Sequence, residues 1–153
     1  MSDKELTGLA GEFEVASELC RRGFYAQLTL KSRERTDVIV TRDEGFIRVQ
    51  VKSKVGSCWP GCKGVYGKDS LLFFVDFEGK DLTERPDFYL LKPGEWRSLL
   101  EEALEDKVES GKVKIDEKNI PIWPDQEFKG YDVHPEEIKE HKERWDKVEE
   151  SLR

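Results

Sequence analysis

The chain has 153 residues, 37% of them apolar and 39% charged, with a formal net charge of −7 at pH 7. That length suits one domain spanning residues 1–153 with a core of its own, and 10% aromatics with clear apolar runs exclude a disordered chain. No apolar run reaches the roughly 18 residues of a membrane span, so a spanning protein is excluded.

Residues 3–22 are expected to form an amphipathic helix. Leu6, Leu9, Phe13, Ala16 and Cys20 recur at alternating spacings of three and four and make one apolar face. Ser2 and Glu5 have the spacing of a capping box, and Gly23 follows Arg21-Arg22 as a helix terminator. At about 100° per residue, Glu12 lies about 80° from the centre of the apolar face, at the border of the buried side. Glu14 and Glu18 fall further out. Gly8 and Gly11 weaken the helix by about 1 kcal/mol each relative to Ala, and they allow another backbone to come close.

Phe24 to Leu30 and Thr36 to Val40 are expected to be strands, joined by the basic connector Lys31-Ser32-Arg33-Glu34-Arg35. Asp43-Glu44-Gly45 is a hairpin signal. In the third strand, Phe46 to Lys54, the apolar Ile47, Val49 and Val51 alternate with Arg48, Gln50, Lys52 and Lys54. That period of two marks a half-buried strand whose polar face meets water or lines a site. The opening is therefore α-β-β-β.

Residues 55–69 have no period and are punctuated by Gly56, Pro60, Gly61, Gly64 and Gly67. Trp59, Lys63, Tyr66 and Lys68 are interleaved there, a mixture suited to bases and phosphates. Cys58 and Cys62 lack a usual zinc spacing. The continuous apolar run Leu71 to Phe77 predicts a strand covered on both faces. Asp87 to Leu91 predicts another. Pro93-Gly94 opens a helix over Glu95 to Asp106. Ile120 to Trp123 is expected to be a short edge strand or extended segment, and Pro135 to begin a charged terminal helix over about 135–152. Three cysteines without a disulfide framework, and an N-terminus without a signal-peptide core, point to the cytoplasm.

Charge is unevenly spread. Residues 31–68 carry nine basic and four acidic side chains, whereas residues 69–153 carry 14 basic and 24 acidic. The positive charge gathers around the third strand, where a phosphate backbone would need it. Lys31, Arg33, Arg35, Arg48, Lys54, Lys63 and Lys68 are the candidate nucleic-acid contacts.

Gly11-Glu12-x-x-Val15-Ala16-x-x-Leu19-x-x-Arg22-Gly23-Phe24, Asp37-Val38-Ile39-Val40 and Val49-Gln50-Val51-Lys52 together resemble the PD-(D/E)XK nuclease superfamily. The likeness is to its small Holliday-junction-resolvase-like bacterial and archaeal branch. The downstream strand pair and Lys142-Glu143-Arg144-Trp145-Asp146 are similar to relatives of the same kind. The resemblance implies a restriction-endonuclease-like α/β fold, a central mixed β-sheet flanked by helices with an α-β-β-β-α-β core. It implies a Mg²⁺-dependent endonuclease cleaving DNA phosphodiester bonds, with Mn²⁺ able to substitute. Asp37, the Gln50 amide oxygen and the Val51 backbone carbonyl would offer oxygens to Mg²⁺, a hard cation. Lys52 would offset charge developing on the phosphoryl group or help deprotonate the attacking water. Glu12 would orient a metal-bound water or support the groups around the metal, and would itself be a metal ligand if the helix packs against this strand. Cutting both strands of a duplex would call for two sites, hence a homodimer.

Two residues depart from the superfamily's pattern. Thr36 stands where it has proline, which contributes backbone shape alone. Gln50 stands where it has a second acid, so the site has one negative charge fewer. That substitution raises an alternative: a catalytically silent restriction-like domain that binds DNA or a protein.

Overall fold

The computed structural model describes residues 2–30 and 36–152. Helix α1 spans Asp3–Arg21 and opens on the capping box expected from Ser2 and Glu5, with Ser2 N–H donating to the Glu5 carboxylate at 2.8 Å. Gly23 ends it at φ 92°, a left-handed turn open to glycine at little cost.

The buried side of α1 is not the expected one. It carries Gly11, Glu12, Val15, Ala16, Glu18 and Leu19, while Leu6 is 51% and Phe13 58% exposed. The reason is Gly11. A Cβ there would lie 1.7 Å from Ser53 Oγ, so the helix seats itself on the strand at the residue without a side chain. The bulkier apolar residues then rotate outward.

Five strands build the main sheet: β1 (Tyr25–Leu28), β2 (Val38–Arg42), β3 (Gly45–Lys54), β5 (Ser70–Asp76) and β6 (Asp87–Leu91). Their spatial order is β1-β2-β3-β5-β6. All neighbours are antiparallel except β3 and β5, which run parallel with Gln50 beside Leu72 and Lys54 beside Asp76. The β2–β3 hairpin turns through Asp43 and Glu44, with Arg42 paired to Gly45 and Asp43 at φ 55°. All seven residues of β5 are buried, as the continuous apolar run predicts.

The sheet separates two cores. On one face Val38, Val40, Ile47, Val49, Val51, Leu71, Phe73 and Val75 pack with Val15 and Leu19 of α1. Trp145 and Val148 complete that side; Val148 lies in α4 (Asp146–Leu152). On the other face Leu72, Phe74, Tyr89 and Leu91 pack with Trp96 and Leu100 of α2 (Pro93–Ala103). The molecule is thus a mixed α/β structure with a mixed central sheet flanked by helices.

Three features differ from expectation. The parallel link from β3 to β5 holds no helix. It holds the short strand β4 (Trp59–Cys62), which pairs with β10 (Tyr131–Val133). Gly61, Gly64 and Gly67 all adopt positive φ there, and a Cβ on Gly64 would lie 1.9 Å from the Trp96 indole. Such a segment is a poor helix, and α2 covers this face instead.

The terminal helix is also broken. A 3₁₀ segment, Pro135–His141, precedes α4, and Glu143 between them adopts φ 55°. Here the chain pairs with the edge of β6: Lys142 bridges Tyr89, and Glu143 N–H donates to Phe88 O at 2.9 Å. Trp145 then drops into the core, 5.6 Å from Phe73 and 5.2 Å from Phe88 between ring centroids.

The third difference is that α3 (Glu105–Glu109) follows α2, and Pro121–Trp123 forms β8 as the middle of a small sheet rather than an edge. Its neighbours are β7 (Lys114–Ile115) and β9 (Phe128–Lys129). Among the described residues no helix is long and apolar enough to cross a membrane.

Candidate functional site

The centre of the site is the rung where β2 begins. Asp37 N–H donates to Val49 O at 2.8 Å, which holds Asp37 against β3 just before β2 starts. Its carboxylate then crosses to the next strand, where Oδ2 accepts the Val51 N–H at 2.8 Å. β2 no longer offers a ladder carbonyl at that point, so the side chain supplies the missing acceptor. The bond places the acid beside Val51, with Gln50 and Lys52 on either side of it in the chain.

Gln50 is 6% exposed, and its amide oxygen is a buried acceptor without a hydrogen-bond partner among the described residues. A buried polar atom left unsatisfied costs about 1–3 kcal/mol, and a bound cation or water would remove that cost. Lys52 is half-buried on the same strand face as Gln50. It lies near Cys62: burial pushes that thiol up to about 12, and the Lys52 charge acts in the opposite direction.

Glu12 reaches the strand from the other side. α1 packs on the face carrying Val49, Val51 and Ser53, and Glu12 is 4% exposed within that layer. Asp37, Gln50 and Lys52 are therefore gathered around Val51, whereas Glu12 comes to β3 from the face opposite Gln50 and Lys52. Among the described residues no group of three His, Cys, Asp or Glu is arranged to hold a metal ion. The expected donor set is two carboxylates, an amide and a backbone carbonyl, which is not such a group.

The basic residues divide. Arg48, Lys63 and Lys68 lie on exposed backbone positions, as a phosphate contact requires. Lys54 does not. Its ammonium is buried, 2.7 Å from Asp76 Oδ1, 2.8 Å from Gly56 O and 4.9 Å from the Trp59 ring centroid. It is a core ion pair rather than a phosphate contact, because β5 places an aspartate directly beside it in the parallel register. Lys31, Arg33 and Arg35 lie outside the described residues.

One charged cluster escaped the sequence reading. Lys147, in the segment expected to be a charged terminal helix, is 2% exposed. Its ammonium donates to Leu90 O at 2.8 Å and lies 2.8 Å from His141 Nδ1 and 3.0 Å from Glu95 Oε1. Burial holds Lys147 below its ordinary value, and burial with the Lys147 charge does the same for His141. Burial of Glu95 opposes its ionisation, but the Lys92 amide and the Lys147 ammonium outweigh it, and its carboxyl sits below the usual range. Glu95 and His141 also line a cleft of about 600 Å³ beside α2. No local signal marks Lys147, because Leu90 and Glu95 lie some 50 residues away in sequence.

No family model matches this chain, and no curated protein matches it.

Proposed function

We propose that this chain is a divalent-metal-dependent nuclease of restriction-endonuclease-like type that hydrolyses DNA phosphodiester bonds. One observation carries the reading: the Asp37 carboxylate rests on the Val51 amide, flanked by the unsatisfied Gln50 oxygen and the half-buried Lys52. Oxygen donors beside a lysine suit a hard cation and a phosphate together. Mg²⁺ or Mn²⁺, when bound, would lower the pKa of a water and polarise the phosphoryl oxygens. Asp37 and Gln50 would hold the cation. Lys52 would stabilise the charge that develops on the phosphoryl group.

A second reading has its own support. The neutral amide at Gln50 gives the site one negative charge fewer, and Glu12 lies on the opposite sheet face. Both favour a catalytically silent domain that binds DNA or a protein.

Two measurements separate these readings. Calorimetric titration with Mn²⁺ is expected to show binding to the parent chain and none to Asp37→Ala. A supercoiled plasmid in Mg²⁺ or Mn²⁺ is expected to be nicked by the parent and not by Lys52→Ala. No Mn²⁺ binding by the parent in the first assay supports the binding module, and a Lys52→Ala variant that nicks as fast as its parent removes Lys52 from the mechanism.

A further inference from the structure

The two faces of the sheet are covered unequally. The face against α1 is buried over β2, β3, β5 and β6 and half-buried at Ala26 and Leu28 of β1. On the other face the buried apolar side chains come from β5 and β6, namely Leu72, Phe74, Tyr89 and Leu91, and β3 adds the buried Gln50 and Lys54 only in its second half. The corresponding residues of β1, β2 and the first half of β3 stay open: Tyr25, Gln27, Phe46 and Arg48 are exposed, and Ile39 and Thr41 are half-buried.

These six residues are in register. Tyr25 pairs with Thr41, and Thr41 with Phe46, so one rung runs Tyr25-Thr41-Phe46. The next rung is Gln27-Ile39-Arg48. Continuing along β3, the next two residues on this face are Gln50 and Lys52. Adjacent strands are about 4.8 Å apart and each residue rises about 3.4 Å, so the two rings stand about 10 Å apart and Gln50 lies about 14 Å beyond Phe46.

The composition of this surface limits what it can hold. Tyr25 is 64% and Phe46 45% exposed, and the Arg48 guanidinium lies 5.9 Å from the Phe46 ring centroid. None of the six carries negative charge, in a molecule whose net charge is −7. The one charged side chain among the six is the cation Arg48, whose sign complements a phosphate backbone. Exposed rings beside a guanidinium and an amide suit the faces of nucleobases and the phosphates joining them. A duplex keeps its base faces inside the stack, whereas an unpaired strand presents them.

We infer that the open face of β1, β2 and β3 is a stacking platform for an unpaired DNA strand, in line with Gln50 and Lys52. The inference rests on the nuclease reading for what happens at the end of the track, but strand binding does not depend on cleavage. Tyr25 and Phe46 stack on bases, Arg48 meets the phosphates, and the backbone continues toward Lys52.

The experiment uses the full chain in EDTA and measures fluorescence anisotropy of a labelled oligothymidylate against a blunt-ended duplex of two complementary strands. The parent is expected to bind the single strand about tenfold more tightly, and Tyr25→Ala with Phe46→Ala together to weaken that binding by about tenfold or more. Tyr25→Phe keeps the ring and is expected to bind like the parent. The single variant Tyr25→Ala, at the more exposed ring, guards against a folding defect in the double variant and is expected to bind several-fold more weakly with an unchanged thermal midpoint. A parent that binds the duplex equally well, or a Tyr25→Ala chain that binds the single strand as the parent does, overturns the platform. Because EDTA removes metal, failed cleavage leaves this result intact, and cleavage without strand preference sinks the platform alone.

Discussion

The proposed chemistry turns on the amide of Gln50. It is buried, its oxygen lacks a donor among the described residues, and it sits one position from the amide that Asp37 holds. Replacing it by glutamate adds a carboxylate where the resemblance implies one. Gln50→Glu is expected to raise divalent-metal affinity by about tenfold or more, since ligand charge tunes such sites. In EDTA the same variant is expected to melt at a lower temperature, because a buried carboxylate without a partner is costly. An unchanged metal response would show that residue 50 does not touch the cation. His141 offers a second test at this scale. Burial and the nearby Lys147 hold its imidazole below 6.5, so below that pH the unfolded chain takes up the proton first. Stability from this group is therefore complete above 6.5 and lost as pH falls toward the folded value. Urea midpoints are expected to decline from about pH 7 toward pH 5, and His141→Gln to flatten that decline. Glu18 and Glu95, both lowered from 4.5, stay ionised in both states through the upper part of this window.

The elements differ in how much their own sequence decides. β3 was legible because its alternate residues Ile47, Val49 and Val51 face the α1 core, so a period of two is enforced there. The hairpin at Asp43-Glu44 was legible for a local reason, its turn chemistry. Helix α1 was legible in extent but not in orientation. Counting apolar residues chose Leu6, Leu9 and Phe13, while close packing chose Gly11, and an absent side chain carries no weight in a hydrophobic pattern. The terminal segment was misread for a related reason: its Glu/Lys spacing suits a helix, yet pairing with β6 and burial of Trp145 and Lys147 break it. Asp37 stands beside Val51, between Gln50 and Lys52, because strand pairing places it there. Glu12 is not placed by strand pairing, because its position depends on the face of α1. The two glycines of that helix test the argument. Nothing lies within 4 Å of a Cβ on Gly8, so Gly8→Ala is expected to stabilise by about 1 kcal/mol through helix propensity. Gly11→Ala drives a methyl into Ser53 and is expected to destabilise by about 1–3 kcal/mol despite the same propensity gain. Urea unfolding of the two variants checks the contrast, and equal effects would mean that α1 is not seated at Gly11.

At the scale of the whole molecule, one sheet serves two apolar cores, one on each face, and Lys147 of α4 also reaches Glu95 of α2. β3 gives Ile47, Val49 and Val51 to one side and Lys54 to the other, and β5 alternates Leu71, Phe73 and Val75 with Leu72 and Phe74. Both cores bury indoles, Trp145 in the first and Trp59 with Trp96 in the second. Trp145 closes the first against Phe73 and Phe88, with the Arg22 guanidinium 4.2 Å above its ring. Trp96 closes the second and donates to Asn119 O at 2.8 Å. A charged lattice ties the first core's outer elements together: Glu18 on α1 accepts from Arg85 at 2.6 Å and Arg22 at 3.3 Å, and Arg85 also grips Glu143 at 3.0 Å. Because β3 and β5 cannot lose one set of side-chain contacts and keep the other, the two cores are expected to melt together. Trp145→Ala and Trp96→Ala should each cost about 3–5 kcal/mol, the usual range for a buried indole. Both variants should unfold in one transition, with far-ultraviolet circular dichroism and the fluorescence of the remaining tryptophans coinciding at every urea concentration. If Trp96→Ala loses fluorescence change at a lower urea concentration than helix signal, the α2 side folds as a unit of its own, and the platform with Asp37 would persist on a half-melted chain.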